Sequence, residues 1–301
     1  MNYGVETMLG AIVGDIIGSR FEQRNTNSKN FELFTDKCHF TDDSVMTLAV
    51  ADALLESNSG DTDLTRLLVN KMQTIGLKHP FVGYGSRFHS WLYEKNTEPI
   101  GSFGNGSAMR VSACGWLGKD LEEVKMLARK SAEVTHNHPE GIKGAEVVAA
   151  AIYLARTGKS KEEIKNYIVE NYSSLDGMGP ECWNIDFCKK FYYDLNFKLE
   201  DLKPVYYFDI TCQGSVPEAI EAFLEADSFE DAIRTAVAIG GDSDTIAAIA
   251  GSIAEAFYGI PDSISSKAIS YLTPDLLGIL RPFLNLQIQR KQLVSSDFEI
   301  Y

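Results

Sequence analysis

No uncharged apolar run in this chain is long enough to span a bilayer. The longest near its start, Met8 to Val13, passes Gly14 only to meet Asp15, well short of the ~20 residues a transmembrane helix needs. Nor does a basic stretch precede that run, as it would in a secretory signal. A cytoplasmic protein with no membrane partner is expected. The five cysteines, Cys38, Cys114, Cys182, Cys188 and Cys212, are odd in number and lack paired short spacings. That argues against a disulfide framework and against a cysteine-based zinc site. Positive charge is scarce as well, with 28 Lys and Arg against 42 Asp and Glu and a net charge of −14. Nucleic acid needs a cationic surface and is not an expected partner. A single anionic ligand held by backbone N–H groups remains compatible with that charge. Low-complexity stretches, internal repeats and linkers are missing, and alternating strand-type runs nearly so. With 45% hydrophobic residues, the chain reads as one well-buried all-α domain over residues 1–301, expected as a monomer.

What is present is helical pattern. Apolar periodicity and terminal signals predict helices over 4–18, 41–56, 63–75, 106–118, 121–132, 141–157, 161–171, 215–225, 229–238, 244–257 and 262–271. Ser215-Val216-Pro217-Glu218 reads as a capping box with a proline in the first turn. Gly10, Gly14 and Gly18 fall four apart on one helical face, and Ala247, Ala248, Ala250, Gly251 and Ala254 line another. Glycine costs a helix about 1 kcal/mol against alanine, so close helix–helix approach is the expected compensation. Between 171 and 210 the pattern turns irregular and aromatic, with Tyr172, Trp183, Phe187, Phe191, Tyr192, Tyr193, Tyr206, Tyr207 and Phe208. Core packing is the first reading for most of these, and a wall for a planar ligand for one or two.

Two acidic motifs stand out against this background. Thr41-Asp42-Asp43-Ser44 precedes the apolar run from Val45, and Gly240-Gly241-Asp242-Ser243-Asp244-Thr245 precedes that from Ile246. One such motif alone reads as a helix cap. A cap needs one acceptor, however, and each motif offers two carboxylates, which repel unless a cation lies between them. Residues two apart, such as Asp242 and Asp244, do not share a face of a regular helix, so they converge only where glycine keeps the backbone irregular. Thr41, Asp42, Asp43, Asp242, Asp244 and Thr245 together form an all-oxygen set suited to Mg²⁺ or Mn²⁺.

Three further segments are weaker. Gly101-Ser102-Phe103-Gly104-Asn105-Gly106-Ser107-Ala108-Met109-Arg110 is a glycine-rich loop entering a helix, which could present N–H groups to a phosphate or be an ordinary tight loop. It is neither a Walker loop nor a dinucleotide fingerprint. Glu22 ends the exit of the first helix, ahead of the polar segment 23–30, and by itself reads as a solvated surface residue. His136 and His138 sit in Thr135-His136-Asn137-His138-Pro139, where a loop hydrogen bond and a ligand contact weigh equally.

Taken together, these segments resemble the ADP-ribosylglycohydrolase family, which includes the dinitrogenase reductase-activating glycohydrolase and the eukaryotic ADP-ribosyl-acceptor hydrolases. The match covers 10–22, 40–53, 101–118, the Thr135-His136 region, 214–223 and 239–259, and is loosest over 157–210. The resemblance implies a compact orthogonal helical bundle around a central binuclear site of two Mg²⁺ or Mn²⁺ ions. Thr41, Asp42, Asp43, Asp242, Asp244 and Thr245 are the implied ligands. Glu22 falls where the family has a mobile acidic residue that closes over the metals, and Glu22 and Asp43 are the implied catalytic carboxylates. Gly101, Ser102, Phe103, Gly104 and Asn105 match the loop that holds the diphosphate and distal ribose. His136 matches a ribose or phosphate contact, and Ile210, with Tyr207 and Phe208 beside it, the adenine-side wall. The implied activity is metal-dependent hydrolysis between ADP-ribose and an acceptor on a protein, with family precedent favouring arginine. Two alternatives stay open: hydrolysis of a small ADP-ribose derivative such as an O-acyl ester, and a non-catalytic role like that of a crystallin sharing the fold.

Overall fold

The structure, a computed structural model, describes residues 8–57, 63–94, 97–173 and 193–298, with backbone alone beyond 286. Cys182, Trp183, Phe187, Cys188, Phe191 and Tyr192 lie outside the described residues. Among those described, the chain forms fourteen α-helices and no strand, as the sequence pattern predicts. In chain order they are α1 Leu9–Gly18, α2 Asp42–Ser57, α3 Leu64–Gly76, α4 Ser86–Tyr93, α5 Ser112–Leu117, α6 Leu121–Glu133 and α7 Pro139–Arg156. There follow α8 Lys161–Tyr172, α9 Leu199–Leu202, α10 Val216–Glu225, α11 Phe229–Val237, α12 Ser243–Tyr258, α13 Asp262–Ile269 and α14 Pro274–Phe298. Their apolar faces join in one continuous buried cluster. No helix among the described residues is long and apolar enough to cross a membrane.

The centre of the bundle is the pairing of α1 with α12, and it depends on small residues. A Cβ at Gly14 would lie 2.0 Å from the Ala247 carbonyl oxygen, and one at Gly10 would lie 2.1 Å from that of Gly251. At Gly18 it would fall 2.5 Å from the Asp244 Cα. The two backbones touch, which no side chain on that face would permit. α12 also serves the open end of α1: Glu255 Oε2 accepts from the Gly10 N–H at 2.7 Å, satisfying one of the donors a helix start leaves unpaired. Gly14→Ala is therefore expected to destabilise the protein by roughly 1–3 kcal/mol or more, the scale of overpacking. A lower urea midpoint with unchanged slope would show it. A midpoint at or above wild type would refute the contact, since alanine is otherwise the better helix former.

Two local expectations are corrected. The run over 106–118 is not one helix: Asn105–Ser107 is a 3-10 turn and α5 starts only at Ser112. The Ser107 hydroxyl donates to the Gly141 carbonyl at 2.7 Å and the Asn105 amide reaches Asp242 at 2.7 Å, side-chain bonds that compete with helix. Ser215 is not the cap of a capping box. Its hydroxyl donates to the Asp209 carbonyl at 2.9 Å and accepts from Asn105 at 3.0 Å, and α10 starts without a side-chain cap. The reciprocal box occurs at Ser160 and Glu163, opening α8.

Candidate active site

α1, α2 and α12 converge on a cluster of carboxylates, and Asp15, in the apolar run of α1, organises it. Asp15 Oδ2 accepts from the Thr41 N–H at 2.9 Å, the Ser44 N–H at 3.0 Å and the Ser44 hydroxyl. Its Oδ1 accepts from Thr41 Oγ1 at 2.7 Å. Asp15 thus caps α2 from a neighbouring helix, and neither Asp42 nor Asp43 is needed for that task. At α12, Asp242 stands in the N-cap position without a side-chain bond to a backbone N–H of the helix. Its Oδ2 accepts from Asn105 Nδ2 at 2.7 Å instead. Capping therefore leaves the doubled carboxylates unexplained at both helices.

The two motifs, 202 residues apart, touch directly: Thr245 Oγ1 donates to Asp43 Oδ2 at 3.1 Å. Left over are the Oδ1 atoms of Asp43 and Asp244, both buried and both without a donor. Asp15, Asp43 and Asp244 each place a carboxylate oxygen within 4.8 Å of the others. Burial raises the pKa of Asp42, Asp43 and Asp244 well above the ordinary aspartate range, and repulsion from neighbouring aspartates pushes the same way. Among the described residues, the ion pairs all lie elsewhere. Unpaired, hard, all-oxygen donors held this close fit a divalent cation. Asp15 belongs to the cluster, but its oxygens are already engaged, so Asp43 and Asp244 are the better ligands.

A cleft of about 270 Å³ opens over the cluster. Glu22 and all six motif residues line it, as do Ser102, Gly104, Asn105, His136 and Ile210. Gly101 and Phe103 are not part of its lining. The Gly101 N–H is tied to Asn137 Oδ1 at 2.8 Å, and the Phe103 ring packs on His138 at 5.2 Å between centroids. Asn105 faces the cleft, yet its amide is spent on Asp242 and Ser215. The two histidines divide. His138 caps α7 by accepting from the Glu140 N–H, whereas His136 is buried beside the cleft.

The state of His136 follows from its neighbours. Buried Arg110 donates to Thr135 Oγ1 at 2.9 Å, and that hydroxyl lies 2.7 Å from His136 Nδ1. Having accepted from arginine, the hydroxyl gives its own proton to Nδ1. Burial, then Arg110 and Arg87, holds the imidazole well below its usual pKa, so it is neutral with its proton on Nε2. Nε2 lies next to Gly104 and Gly106, both in the cleft wall, and can donate to a ligand oxygen.

Sequence reasoning missed Asp15, Arg110 and Arg87. A lone aspartate inside an apolar helix was a readable signal for the first; nothing in the sequence marked the cleft-lining Arg87 of α4. Of the aromatic segment, Tyr193 is fully buried, while Phe208 and Ile210 line the cleft at 48% and 55% exposure.

The sequence profile of the ADP-ribosylglycohydrolase family matches residues 4–286. The chain belongs to this family. It is 27% identical to human ADP-ribosylhydrolase ARH3, over 90% of this chain and 90% of that protein. It is 26% identical to ADP-ribosylarginine hydrolase Tri1 of Pseudomonas putida (strain GB-1), over 84% of this chain and 70% of that protein. A solved ADP-ribosylglycohydrolase-related protein complex shares the fold, with a TM-score of 0.69 at 22% identity over 93% of this chain and 95% of that one. The protein is an ADP-ribosyl glycohydrolase, an enzyme that hydrolyses ADP-ribose linkages.

In this glycohydrolase Glu22 stands half-buried at the cleft, its pKa raised by burial and next by the charge of Asp242. The segment that carries it is rooted in aromatic packing: Phe21 and Phe31 lie 4.9 Å apart, with Arg20 over the first and Arg234 over the second.

Proposed function

We propose that this glycohydrolase is metal-dependent, with two divalent ions, Mg²⁺ or Mn²⁺, held by Thr41, Asp42, Asp43, Asp242, Asp244 and Thr245, and that it frees ADP-ribose from an ADP-ribosylated side chain. The observation that carries this reading is the pair of buried, donorless oxygens, Asp43 Oδ1 and Asp244 Oδ1, contributed by two motifs that touch through Thr245. Divalent ions at this site would supply charge stabilisation and lower the pKa of a nearby water.

The protein's own groups supply the rest. Asp43 and Glu22 direct the water and take its proton as its oxygen bonds to the anomeric carbon. The bond from that carbon to the acceptor breaks, and the acceptor leaves with the electron pair and gains a proton. The Nε2–H of His136, the guanidinium of Arg87, whose Nη2 also donates to the Ile100 carbonyl, and the backbone around Ser102 and Gly104 face the ribose and diphosphate. Phe208 and Ile210 offer an apolar wall to the adenine. Metal-assisted attack differs from the usual glycosidase arrangement of two carboxylates alone. We place arginine first as the acceptor. The name of the Tri1 relative supports it.

Treatment with EDTA is expected to abolish hydrolysis, and Mg²⁺ or Mn²⁺ to restore it. Run over peptides ADP-ribosylated on arginine or serine and over O-acyl-ADP-ribose, the same assay ranks the acceptors. Full turnover in rigorously metal-free enzyme would sink the binuclear reading. Turnover confined to the ester would sink the side-chain reading.

A further inference from the structure

The segment between Glu22 and Phe31 is fastened at two points. At its far end, Lys29 pairs with Asp231 of α11 at 2.7 Å, and Arg234 donates to the carbonyls of Lys29 and Phe31 at 2.9 and 2.6 Å. Nearer Glu22, the carboxamide of Asn25 meets the turn that carries Asp242. One N–H of Asn25 Nδ2 donates to the Gly241 carbonyl at 2.9 Å, with Ser243 Oγ 3.2 Å from the same nitrogen, while the Gly241 N–H donates to Asn25 Oδ1 at 3.1 Å. The same Nδ2 donates to the Phe21 carbonyl at 2.8 Å. One side chain therefore satisfies both backbone groups of Gly241 and a carbonyl next to Glu22.

Gly241 is gripped from the other side as well. It has φ of +67°, and a Cβ there would fall 2.5 Å from the Tyr206 ring. Tyr206 is itself anchored, its hydroxyl donating to the Gly214 carbonyl at 2.6 Å. The turn before Asp242 is thus set between a fixed ring and Asn25, and Asn105 holds the Asp242 carboxylate one residue on. Of these holds, Asn25 is the one that stands on the Glu22 segment.

We propose that Asn25 is a positioning residue that clasps the Glu22 segment to the Gly240–Gly241 turn, favouring the placement in which Glu22 stands at the cleft with Asp242 over one away from it. The coupling rests on the reading that Glu22 acts in the chemical step; the clasp itself does not. An Asn25 carboxamide pairs both ways with the N–H and C=O of a single residue, which neither alanine nor aspartate reproduces. Alanine removes both halves, whereas aspartate keeps the acceptor for the Gly241 N–H and loses the donor.

The test uses the full-length enzyme, comparing Asn25→Ala, Asn25→Asp, Glu22→Gln and the double variant Asn25→Ala/Glu22→Gln. Amide hydrogen exchange is followed over residues 22–28 and 240–242, and single-turnover hydrolysis is measured with saturating Mg²⁺. In Asn25→Ala those amides are expected to exchange roughly tenfold faster or more, as a local opening becomes easier, with Asn25→Asp in between. Its single-turnover rate is expected to fall about tenfold in the wild-type background and less than about twofold in the Glu22→Gln background, the signature of a shared role. Unchanged exchange at Gly241 would overturn the clasp. Equal rate losses in both backgrounds would overturn the coupling and leave general loosening. Wild-type turnover by Glu22→Gln alone would instead defeat the catalytic reading of Glu22, with exchange at Gly241 still deciding the clasp.

Discussion

Asp244→Ala is expected to abolish hydrolysis and leave the metal-free protein as stable as wild type, or more so. The Asp244 Oδ1 has no donor and sits within 4.8 Å of oxygens from Asp15 and Asp43. Removing it relieves repulsion and a desolvation penalty, so the metal-free midpoint of thermal unfolding should hold or rise. The carboxyl's pKa is raised well above its ordinary value of 3.8, so the folded wild type binds more protons than the unfolded chain through that window. The contribution of this one group to metal-free stability is therefore fully present below about 4 and is lost as pH climbs through the raised value. The variant should show a shallower fall. Added metal is expected to stabilise wild type by about 2.7 kcal/mol at a hundredfold excess over its Kd, and the variant by much less. Activity should drop by roughly 10²–10³-fold or more, the scale for losing one preorganised charge-stabilising group. Near-normal turnover, or undiminished stabilisation by metal, would show that Asp244 is not a ligand.

The second large effect belongs to Glu22→Gln. The substitution keeps shape and removes charge at a half-buried position that lines the cleft. Binding of ADP-ribose is expected to stay within roughly tenfold of wild type, about 1.4 kcal/mol, because the diphosphate, ribose and adenine meet other residues. The chemical step should slow by roughly a hundredfold or more, the usual consequence of losing a positioned acid or base. Calorimetry with ADP-ribose beside single-turnover hydrolysis of an ADP-ribosylated peptide separates the two. Wild-type turnover would return Glu22 to the role of a solvated surface residue. Lost binding with an intact chemical rate would make it a structural support of the site.

The helices that build the site were readable because each carried a local signal. Asp42 and Ser243 open α2 and α12, where acidic motifs give way to apolar runs, and the glycine spacing of α1 announced the contact that joins them. What escaped depended on partners distant in sequence. Asp15 looked like an interruption in an apolar helix, and only the fold brings the Thr41–Ser44 donors to it. Ser215 carried the sequence of a capping box, yet Asp209 and Asn105 drew its hydroxyl away. α4 is eight residues long and buries only Trp91 and Leu92, too short a stripe for periodicity to register. α14 continues through Pro282, which reads in sequence as a breaker. In the glycine-rich loop, Ser102 and Gly104 reach the cleft, while Asn105 serves Asp242.

The backbone contact between α1 and α12 also governs when the enzyme comes into being. Helix Leu9–Gly18 leaves the ribosome more than two hundred residues ahead of the face it must press against, Ser243–Tyr258. Until then its glycine stripe and the buried Asp15 have nothing to pack on, and the carboxylates of α2 have no second motif to meet. Contacts this far apart in sequence are slow to form, and an apolar segment left waiting is a target for aggregation. The two acidic motifs thus meet only after the second has been made, and a nascent chain that stalls before residue 242 carries half of the acidic site.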